Sequence, residues 1–245
     1  LDLFNIIQSD KISDPRKLTD KDFGDVNIFI KSFVRVDEAL AQRARKLKRK
    51  VIYSFCDFDF LTPEMIGHRK NMAELSHRCV TISKALSKVV AKTLDISEPT
   101  IITDPYEGPH GTPKFAPSDD RLKLAWFGHN SNIQELFNQL DRLANFGKNI
   151  PVSLQVIAQS ISGIEEAFAM ANAKFKGHLT LRLIPWSLDN TWQSLAQSDA
   201  VIIPSSNNEK KMAKSPNRVV ESLRNGRFVV AHPVNLTILL QFAPN

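Results

Sequence analysis

Short apolar runs recur along the chain, and segments with helical periodicity separate most of them. Nine runs have strand character, at 26–30, 50–55, 79–82, 100–103, 122–127, 152–158, 179–184, 200–203 and 227–231. Between two of these runs, apolar residues recur at helical spacing, at Ile133, Leu136, Phe137, Leu140 and Leu143. Nearly continuous apolar strands that alternate with helices are typical of parallel sheets covered on both faces. The pattern therefore predicts an α/β protein.

Several of the predicted helices have recognisable ends. The predicted N-cap residues are Thr62, Ser83 and Ser215. Pro216 then takes the first helical position, and Gly226 follows the predicted end of that helix. A further helical pattern begins at 234–242.

One segment, DPYEGPHGTPKFAPSDD at 104–120, interrupts this alternation. It has four prolines, two glycines and no apolar period, which is typical of an interdomain linker. We therefore predict an N-terminal α/β domain over 1–105, a linker over 106–120 and a C-terminal α/β domain over 121–245.

Length and composition narrow the class of protein. The chain has 245 residues, of which 42% are hydrophobic and 24% are charged, as in ordinary globular proteins. This composition excludes a disordered, collagen-like or disulfide-scaffold protein. No apolar run approaches the roughly 20 residues that span a bilayer, and we see no signal peptide. The two cysteines, Cys56 and Cys79, predict free thiols and a cytosolic protein. The net charge of +6 suits an anionic partner.

The start of the last well-defined helix combines positive charge with free backbone donors. Ser215 and Pro216 open the helix, Lys214 precedes them, and Arg218 lies in the first turn. Unpaired N–H groups, the helix dipole and two cations favour a phosphate or diphosphate. Glu221 follows on the same face, where its carboxylate can accept hydrogen bonds from a ribose diol. The spacing also fits a surface ion pair between Arg218 and Glu221.

Two segments together resemble the nucleotide-sugar site of GT-B glycosyltransferases of the family-4 type. They are SDAVIIPS at 198–205 and KSPNRVVESLRNGRFVVA at 214–231. The resemblance implies that Lys214 and Arg218 are catalytic, because they stabilise the leaving diphosphate. It also implies that Glu221 binds the ribose. The other donor-binding residues that it implies in these segments are Ser205, Ser215, Pro216 and Asn217.

Further segments resemble the same family. LKLAWFGHN at 122–130 is similar to the first strand and glycine turn of its C-terminal domain, which implies donor contacts from Gly128 and Asn130. His129 follows Gly128 and is a candidate catalytic residue, although a loop histidine with no ligand fits the sequence as well. Pro185 and Trp186 lie where the family often contacts the nucleobase.

The chain also departs from the family pattern. The earlier of the two family glutamates is replaced by Ala213, and the sequence GHNSNI at 128–133 lacks the usual Arg and Lys of the first turn. The N-terminal domain lacks its first strands and the glycine-rich acceptor loop, so we expect an incomplete domain or a fragment of a longer chain.

A second motif allows a different interpretation. The apolar run at 50–55 is followed by Asp57 and Asp59, a D-x-D pattern that resembles the Mn²⁺ or Mg²⁺ site of the GT-A glycosyltransferases. The same acids also fit a strand end with solvated side chains. The GT-B resemblance implies that no metal is bound. Asp57 and Asp59 are the metal ligands in the alternative, GT-A-like interpretation.

A basic run at 42–50, QRARKLKRK, lies on a predicted helix. A solvated helix face accounts for it, and so does contact with an anionic membrane that holds lipid-linked acceptors. We see no nucleic-acid-binding module.

The resemblance implies two Rossmann-like domains whose parallel sheets face each other across a cleft. It implies an enzyme that moves a sugar from a nucleotide-diphosphate-sugar donor to a saccharide or lipid-linked acceptor. It further implies retention of configuration, no cofactor and a role in surface polysaccharide synthesis in the cytoplasm, on or near the inner face of the membrane. The alternatives are a catalytically silent nucleotide-sugar-binding or interaction protein of the same fold and a metal-dependent GT-A-like transferase.

Overall fold

The computed structural model describes residues 11, 14–58, 60, 62–117 and 120–233. The protein is an α/β protein with two all-parallel sheets, of four and five strands. It divides into two compact units, the first comprising Leu1–Asp104 with Met212–Ser215 and the second comprising Pro105–Lys211 with Pro216–Asn245. The helix predicted at 234–242 lies outside the described residues.

The first unit alternates strands and helices along the chain. Its elements are β1 (Val26–Ile30), α1 (Arg35–Lys46), β2 (Lys50–Phe55), α2 (Pro63–Leu75), β3 (Arg78–Thr81), α3 (Lys84–Leu94) and β4 (Thr100–Ile101). The strands lie side by side in chain order, β1-β2-β3-β4. Residues of all three helices pack in one core cluster with the buried side chains of β2, so the helices lie on the same face of the sheet, as right-handed crossovers between successive neighbours require.

The core of the first unit therefore forms on that helical face. Val51, Tyr53 and Phe55 of β2 are buried there. On the other face, β1 exposes Val26, Ile28 and Ile30 by half or more of their surface. The expectation of a sheet covered on both faces is therefore not met at β1, the edge strand of the described part of this sheet.

The second unit has a doubly wound sheet. Its elements are β5 (Leu122–Phe127), α4 (Ile133–Phe137), α5 (Leu140–Phe146), β6 (Val152–Ala158), α6 (Ile164–Lys174), β7 (Leu179–Pro185), α7 (Leu188–Gln197), β8 (Ala200–Ile203), α8 (Glu209–Met212), α9 (Asn217–Arg224) and β9 (Phe228–Ala231). The strand order is β7-β6-β5-β8-β9. The chain thus builds outward from β5 in one direction and then returns to its other side. The switch point lies between β5 and β8, where open α/β sheets bind ligands at the carboxyl ends of the strands.

The helix ends agree with the sequence at two of three predicted caps. The Thr62 hydroxyl accepts a hydrogen bond from the Met65 N–H at 3.2 Å, and Ser83 caps α3 in the same way. The prediction of Ser215 as a cap is wrong: α9 begins at Asn217, and Pro216 occupies the N-cap position without a side-chain cap. The apolar stripe over 133–143 forms two helices, α4 and α5, because the chain turns at 138–139.

The proline-rich segment packs with the second unit. The Gly111 N–H donates to the Arg224 carbonyl at 3.0 Å, and the Arg227 guanidinium donates to the Thr112 carbonyl at 3.2 Å. The segment predicted as a linker is therefore held to the second unit by hydrogen bonds over the part that is described.

Two further observations concern the cysteines and the helices. Cys56 and Cys79 are free and half-buried, and burial raises the pKa of the Cys79 thiol to about 11. None of the described helices has the length and apolarity needed to cross a membrane.

Candidate functional site

The candidate site begins at the end of β5, the central strand of the second unit. Trp126 and Phe127 are buried, and Gly128 follows them. A Cβ atom at Gly128 would lie 3.2 Å from Nη1 of Arg218 and 3.3 Å from the ring of Trp126. A glycine at this position therefore allows the Arg218 guanidinium to approach the backbone closely.

Arg218 extends from α9 to the end of β5. Its Nη1 donates to the Phe127 carbonyl at 3.3 Å. Burial lowers the pKa of Arg218, while the negative charges of Glu135 and Glu221 act in the opposite direction. Since an arginine side chain stays protonated in proteins, this places a fixed positive charge at the switch point. Arg218 and Glu221 are close enough to interact electrostatically, as their spacing on one helix face predicts.

A second cation, which the sequence analysis missed, lies beside the same strand end. The Lys211 ammonium is 3.0 Å from Oε1 and 3.2 Å from Oε2 of Glu135, and it also donates to Oδ1 of Asn132. The Ser206 hydroxyl donates to Glu135 at 3.3 Å. Lys211 and Glu135 are only 15% and 19% exposed. No local sequence signal marks this pair, because its members lie 76 residues apart.

His129 and Asn130 form the turn that follows Gly128. The His129 Nδ1 accepts a hydrogen bond from the Ser131 N–H at 3.2 Å and thereby caps a 3-10 turn over Asn130–Asn132. His129 is exposed, and the Oδ1 of Asn130 is buried with no hydrogen-bond partner in the described structure. Helix α4 begins at Ile133, directly after this turn. The geometry gives His129 a structural contact, and its candidate catalytic role stays a prediction.

Pro185 and Trp186 lie at the carboxyl end of β7. The side chain of Trp186 is exposed (51% for the residue), and its backbone N–H donates to the Ala158 carbonyl at 3.0 Å. Strand β7 is two strands from β5, which corresponds to about 10 Å. The exposed indole ring therefore lies at the same edge of the sheet as Gly128. Ser205, after β8, lies half-buried at this edge as well.

Lys214 and Ser215 group with the first unit, whereas Pro216, Asn217 and Arg218 group with the second. Ala213 is buried in the first unit's core, and its carbonyl accepts a hydrogen bond from the Ser83 hydroxyl at 2.9 Å. The Lys214 ammonium lies 4.0 Å from Oδ1 of Asp57. Lys214 and Arg218, which the sequence places side by side at one helix start, therefore belong to different compact units.

The alternative metal site is only partly covered by the structure. Asp57 is half-buried beside Lys214, and Asp59 lies outside the described residues. Among the residues that the structure describes, no group of three His, Cys, Asp or Glu side chains is arranged to hold a metal ion.

The first unit contains a separate polar network at the end of β1. The Ser32 hydroxyl donates to Asp37 at 2.5 Å and lies 3.1 Å from Nε2 of His68, whose Nδ1 is 2.5 Å from Glu38. Ser32 is 3% exposed, and its proton is directed to Asp37. The arrangement therefore connects α1 to α2 and leaves no accessible nucleophile.

Comparisons with known proteins identify the fold. No protein-family model matches the chain. The chain is 28% identical over 102 residues to the 2,3-bisphosphoglycerate-independent phosphoglycerate mutase of Prochlorococcus marinus, a match that spans 39% of this chain and 19% of that protein. This stretch is too short and too divergent to establish a family.

The structural similarities extend over most of the chain. TarM has a TM-score of 0.59 at 12% identity, and the match covers 86% of this chain and 42% of TarM. Anabaena HepE in complex with UDP has a TM-score of 0.57 at 15% identity, covering 84% of this chain and 59% of HepE. The lipopolysaccharide outer core galactosyltransferase WaaB has a TM-score of 0.56 at 14% identity, covering 83% of this chain and 56% of WaaB. This chain thus spans less than two thirds of each of these proteins, and the resemblance expected from the sequence is confirmed at the level of structure: the chain has the fold of the GT-B glycosyltransferases.

Proposed function

We propose that the protein is a glycosyltransferase that uses a nucleotide-diphosphate-sugar donor and a saccharide or lipid-linked acceptor. The observation that supports this most directly is the Arg218 guanidinium packed against Gly128 at the switch point of the second sheet. A fixed cation at this edge of an open α/β sheet suits a diphosphate. HepE was solved with UDP, which supports the same class of ligand.

The proposed reaction follows from this placement. An acceptor hydroxyl oxygen forms a bond to the anomeric carbon as the bond from that carbon to the diphosphate oxygen breaks. The bonding electrons leave with the diphosphate, and the hydroxyl proton passes to the diphosphate or to water. Arg218 stabilises the developing negative charge electrostatically, which is a major source of catalysis when the donors are already in place. Glu221 binds the ribose hydroxyls, and Trp186 stacks on the nucleobase.

The donor residues that we propose are in the second unit. They are Gly128, Asn130, Pro185, Trp186, Ser205, Pro216, Asn217, Arg218 and Glu221, with His129 as a further candidate. Lys214 and Ser215 belong to the first unit, so the proposal does not depend on them. We further propose retention of configuration and no metal requirement, on the family resemblance of the segment at 214–231. A role in surface polysaccharide synthesis is supported by the similarity to WaaB.

A thermal-shift panel tests the proposal. The protein is heated with UDP, GDP, ADP, CMP and dTDP, each with Mn²⁺ or with EDTA. A nucleotide at 100 times its Kd should add about 2.7 kcal/mol to the free energy of unfolding. One nucleotide that stabilises equally in EDTA supports the proposal, whereas stabilisation that requires Mn²⁺ favours the Asp57 alternative. Transfer of labelled sugar from the matching donor then tests activity.

A variant tests the role of Glu221. Glu221→Ala should weaken nucleotide binding by about 1–3 kcal/mol if the carboxylate accepts ribose hydrogen bonds. Glu166→Ala, at an exposed position on α6, is the control and should not change the affinity. An unchanged affinity in Glu221→Ala would contradict the assignment.

A catalytically silent nucleotide-sugar-binding protein is the second candidate function. It is favoured by Ala213, which replaces the earlier family glutamate and is buried in the first unit's core. Nucleotide stabilisation without sugar transfer or donor hydrolysis would support this candidate.

We also propose a cytoplasmic location with peripheral contact on the inner face of the membrane. Free thiols at Cys56 and Cys79 fit a reducing compartment. Within the basic run at 42–50, the side chains of Lys46, Lys48 and Lys50 are exposed, as binding to an anionic surface requires.

A further inference from the structure

In the Lys211–Glu135 pair of the second unit, both charges are largely removed from solvent. Lys211 meets both carboxylate oxygens of Glu135, at 3.0 and 3.2 Å, and also Asn132. Desolvating two ions costs several kcal/mol, which hydrogen bonds and mutual attraction must offset. A buried ion pair therefore contributes little net stability to the fold. The position of this pair is more informative than its contribution to stability.

That position is the proposed donor site. Asn132 and Glu135 follow the Gly128 turn at the end of β5, and Lys211 follows the loop after β8. The same Glu135 carboxylate attracts the Arg218 guanidinium. One carboxylate therefore interacts with two cations that come from different segments of the chain.

We propose that Lys211 is a second ligand of the donor diphosphate and that Glu135 is a positioning residue for Lys211. This inference rests on the proposed function. The turn at 128–133 has no lysine or arginine, so a second cation at this strand end has to come from elsewhere in the chain. Lys211 supplies it from α8, the short helix that follows β8.

The contacts of the Lys211 ammonium indicate how a phosphate oxygen would take the place of one of its present partners. An ammonium has three N–H donors, and three oxygens surround it here, two from Glu135 and one from Asn132. A phosphate oxygen would replace one oxygen of Glu135, while the other two contacts keep Lys211 in place. The cation then moves little on binding, which limits the reorganisation needed.

Neighbouring lysines provide a contrast. Lys210 is exposed on the same short helix, and Lys214 groups with the first unit beside Asp57. We therefore expect a substitution at Lys211 to weaken diphosphate binding and a substitution at Lys210 to leave it unchanged.

Affinity measurements on nucleoside, nucleoside monophosphate and nucleoside diphosphate test this. Isothermal titration would use ligands with the base of the nucleotide that stabilises the wild-type protein. The ratio of the nucleoside Kd to the nucleoside diphosphate Kd gives the contribution of the phosphates to the affinity. Lys211→Ala and Lys211→Gln should each lower this ratio at least 10-fold and leave nucleoside affinity within 2-fold. Lys210→Ala should leave both unchanged. Lys211→Gln retains a donor for Asn132, so it controls for misfolding.

Glu135→Gln separates positioning from general stability. It should lower the phosphate contribution in the wild-type background and have a much smaller effect when Lys211→Ala is already present, because the two residues act as one unit. Equal effects in both backgrounds would overturn the positioning role.

If the wild-type protein binds a diphosphate and both Lys211 variants keep the full ratio, the inference fails while the proposed function stands. If no nucleotide binds the wild-type protein, both fail.

Discussion

Gly128 lies where the backbone leaves β5 and where Arg218 approaches it. A Cβ atom there would be 3.2 Å from the guanidinium and 3.3 Å from the Trp126 ring, and Trp126 is fully buried. The ring has little room to move because protein interiors are closely packed. The guanidinium would therefore be the group that shifts, and it is the cation on which the proposed diphosphate site depends.

Gly128→Ala should for this reason reduce diphosphate affinity about tenfold, equivalent to about 1.4 kcal/mol. Isothermal titration of the stabilising nucleotide measures this. Gly67→Ala is the matched control, since a Cβ atom at Gly67 on α2 meets nothing within 4 Å. That control should raise the free energy of unfolding by about 0.5–1 kcal/mol without changing affinity. An affinity in Gly128→Ala equal to that of the control would show that Arg218 does not need this space.

The same residues show which parts of the site the sequence can predict. Gly128 and Arg218 have local signals, one at the end of an apolar strand and one after a predicted helix start. The Lys211–Glu135 pair has no such signal, because its contact spans 76 residues and depends on how two short helices, α4 and α8, pack. The division between Arg218 and Lys214 also depends on packing, since Ala213 is buried in the first unit's core.

Among the secondary-structure elements, the strands were predicted best, and β1 and β2 of the first sheet form over the residues expected. Strands β5, β6 and β8 form over the residues expected, because strands buried on both faces are continuous apolar runs. The start of α9 was predicted one residue early. Pro216 has φ −82° and ψ 19°, so it stands before the helix, and a proline at the first helical position could not be distinguished from one at the cap.

The first sheet allows a prediction about its two faces. Ile28 of β1 is 52% exposed, whereas Val51 of β2 is fully buried under the helices. Ile28→Thr should change the free energy of unfolding by no more than about 0.5 kcal/mol, as surface substitutions usually do. Val51→Thr places a hydroxyl in an apolar core and should cost about 1–3 kcal/mol.

Urea unfolding of the two variants measures these values, and threonine keeps a high strand propensity in both. The comparison tests the one-sided core directly. If Ile28→Thr destabilised the protein as much as Val51→Thr, the exposed face of β1 would have to be packed against another surface in solution.

For the molecule as a whole, the net charge and its distribution along the chain follow from the sequence without knowledge of the fold. The net charge is +6, and part of the excess lies in the basic run at 42–50. The structure separates the cations of this run by their contacts. Arg43 pairs with Asp20, Arg49 pairs with Asp25, and the exposed Arg45 contacts the His77 ring, whereas Lys46, Lys48 and Lys50 are exposed lysines. The three lysines are therefore the residues through which a membrane contact would act.

Replacing Lys46, Lys48 and Lys50 together by alanine should weaken binding to vesicles that contain anionic lipid. Each cation near such a surface contributes about 1 kcal/mol, so the triple variant should lose about 3 kcal/mol, or roughly 150-fold in partitioning. Sedimentation with phosphatidylglycerol vesicles at low salt measures this loss. Lys84, Lys88 and Lys92 are exposed on α3 of the same unit, and their triple alanine variant removes the same charge. An equal loss in both variants would mean that net charge alone drives binding, whereas a loss confined to the first variant, and reduced by added salt, would assign the contact to this run.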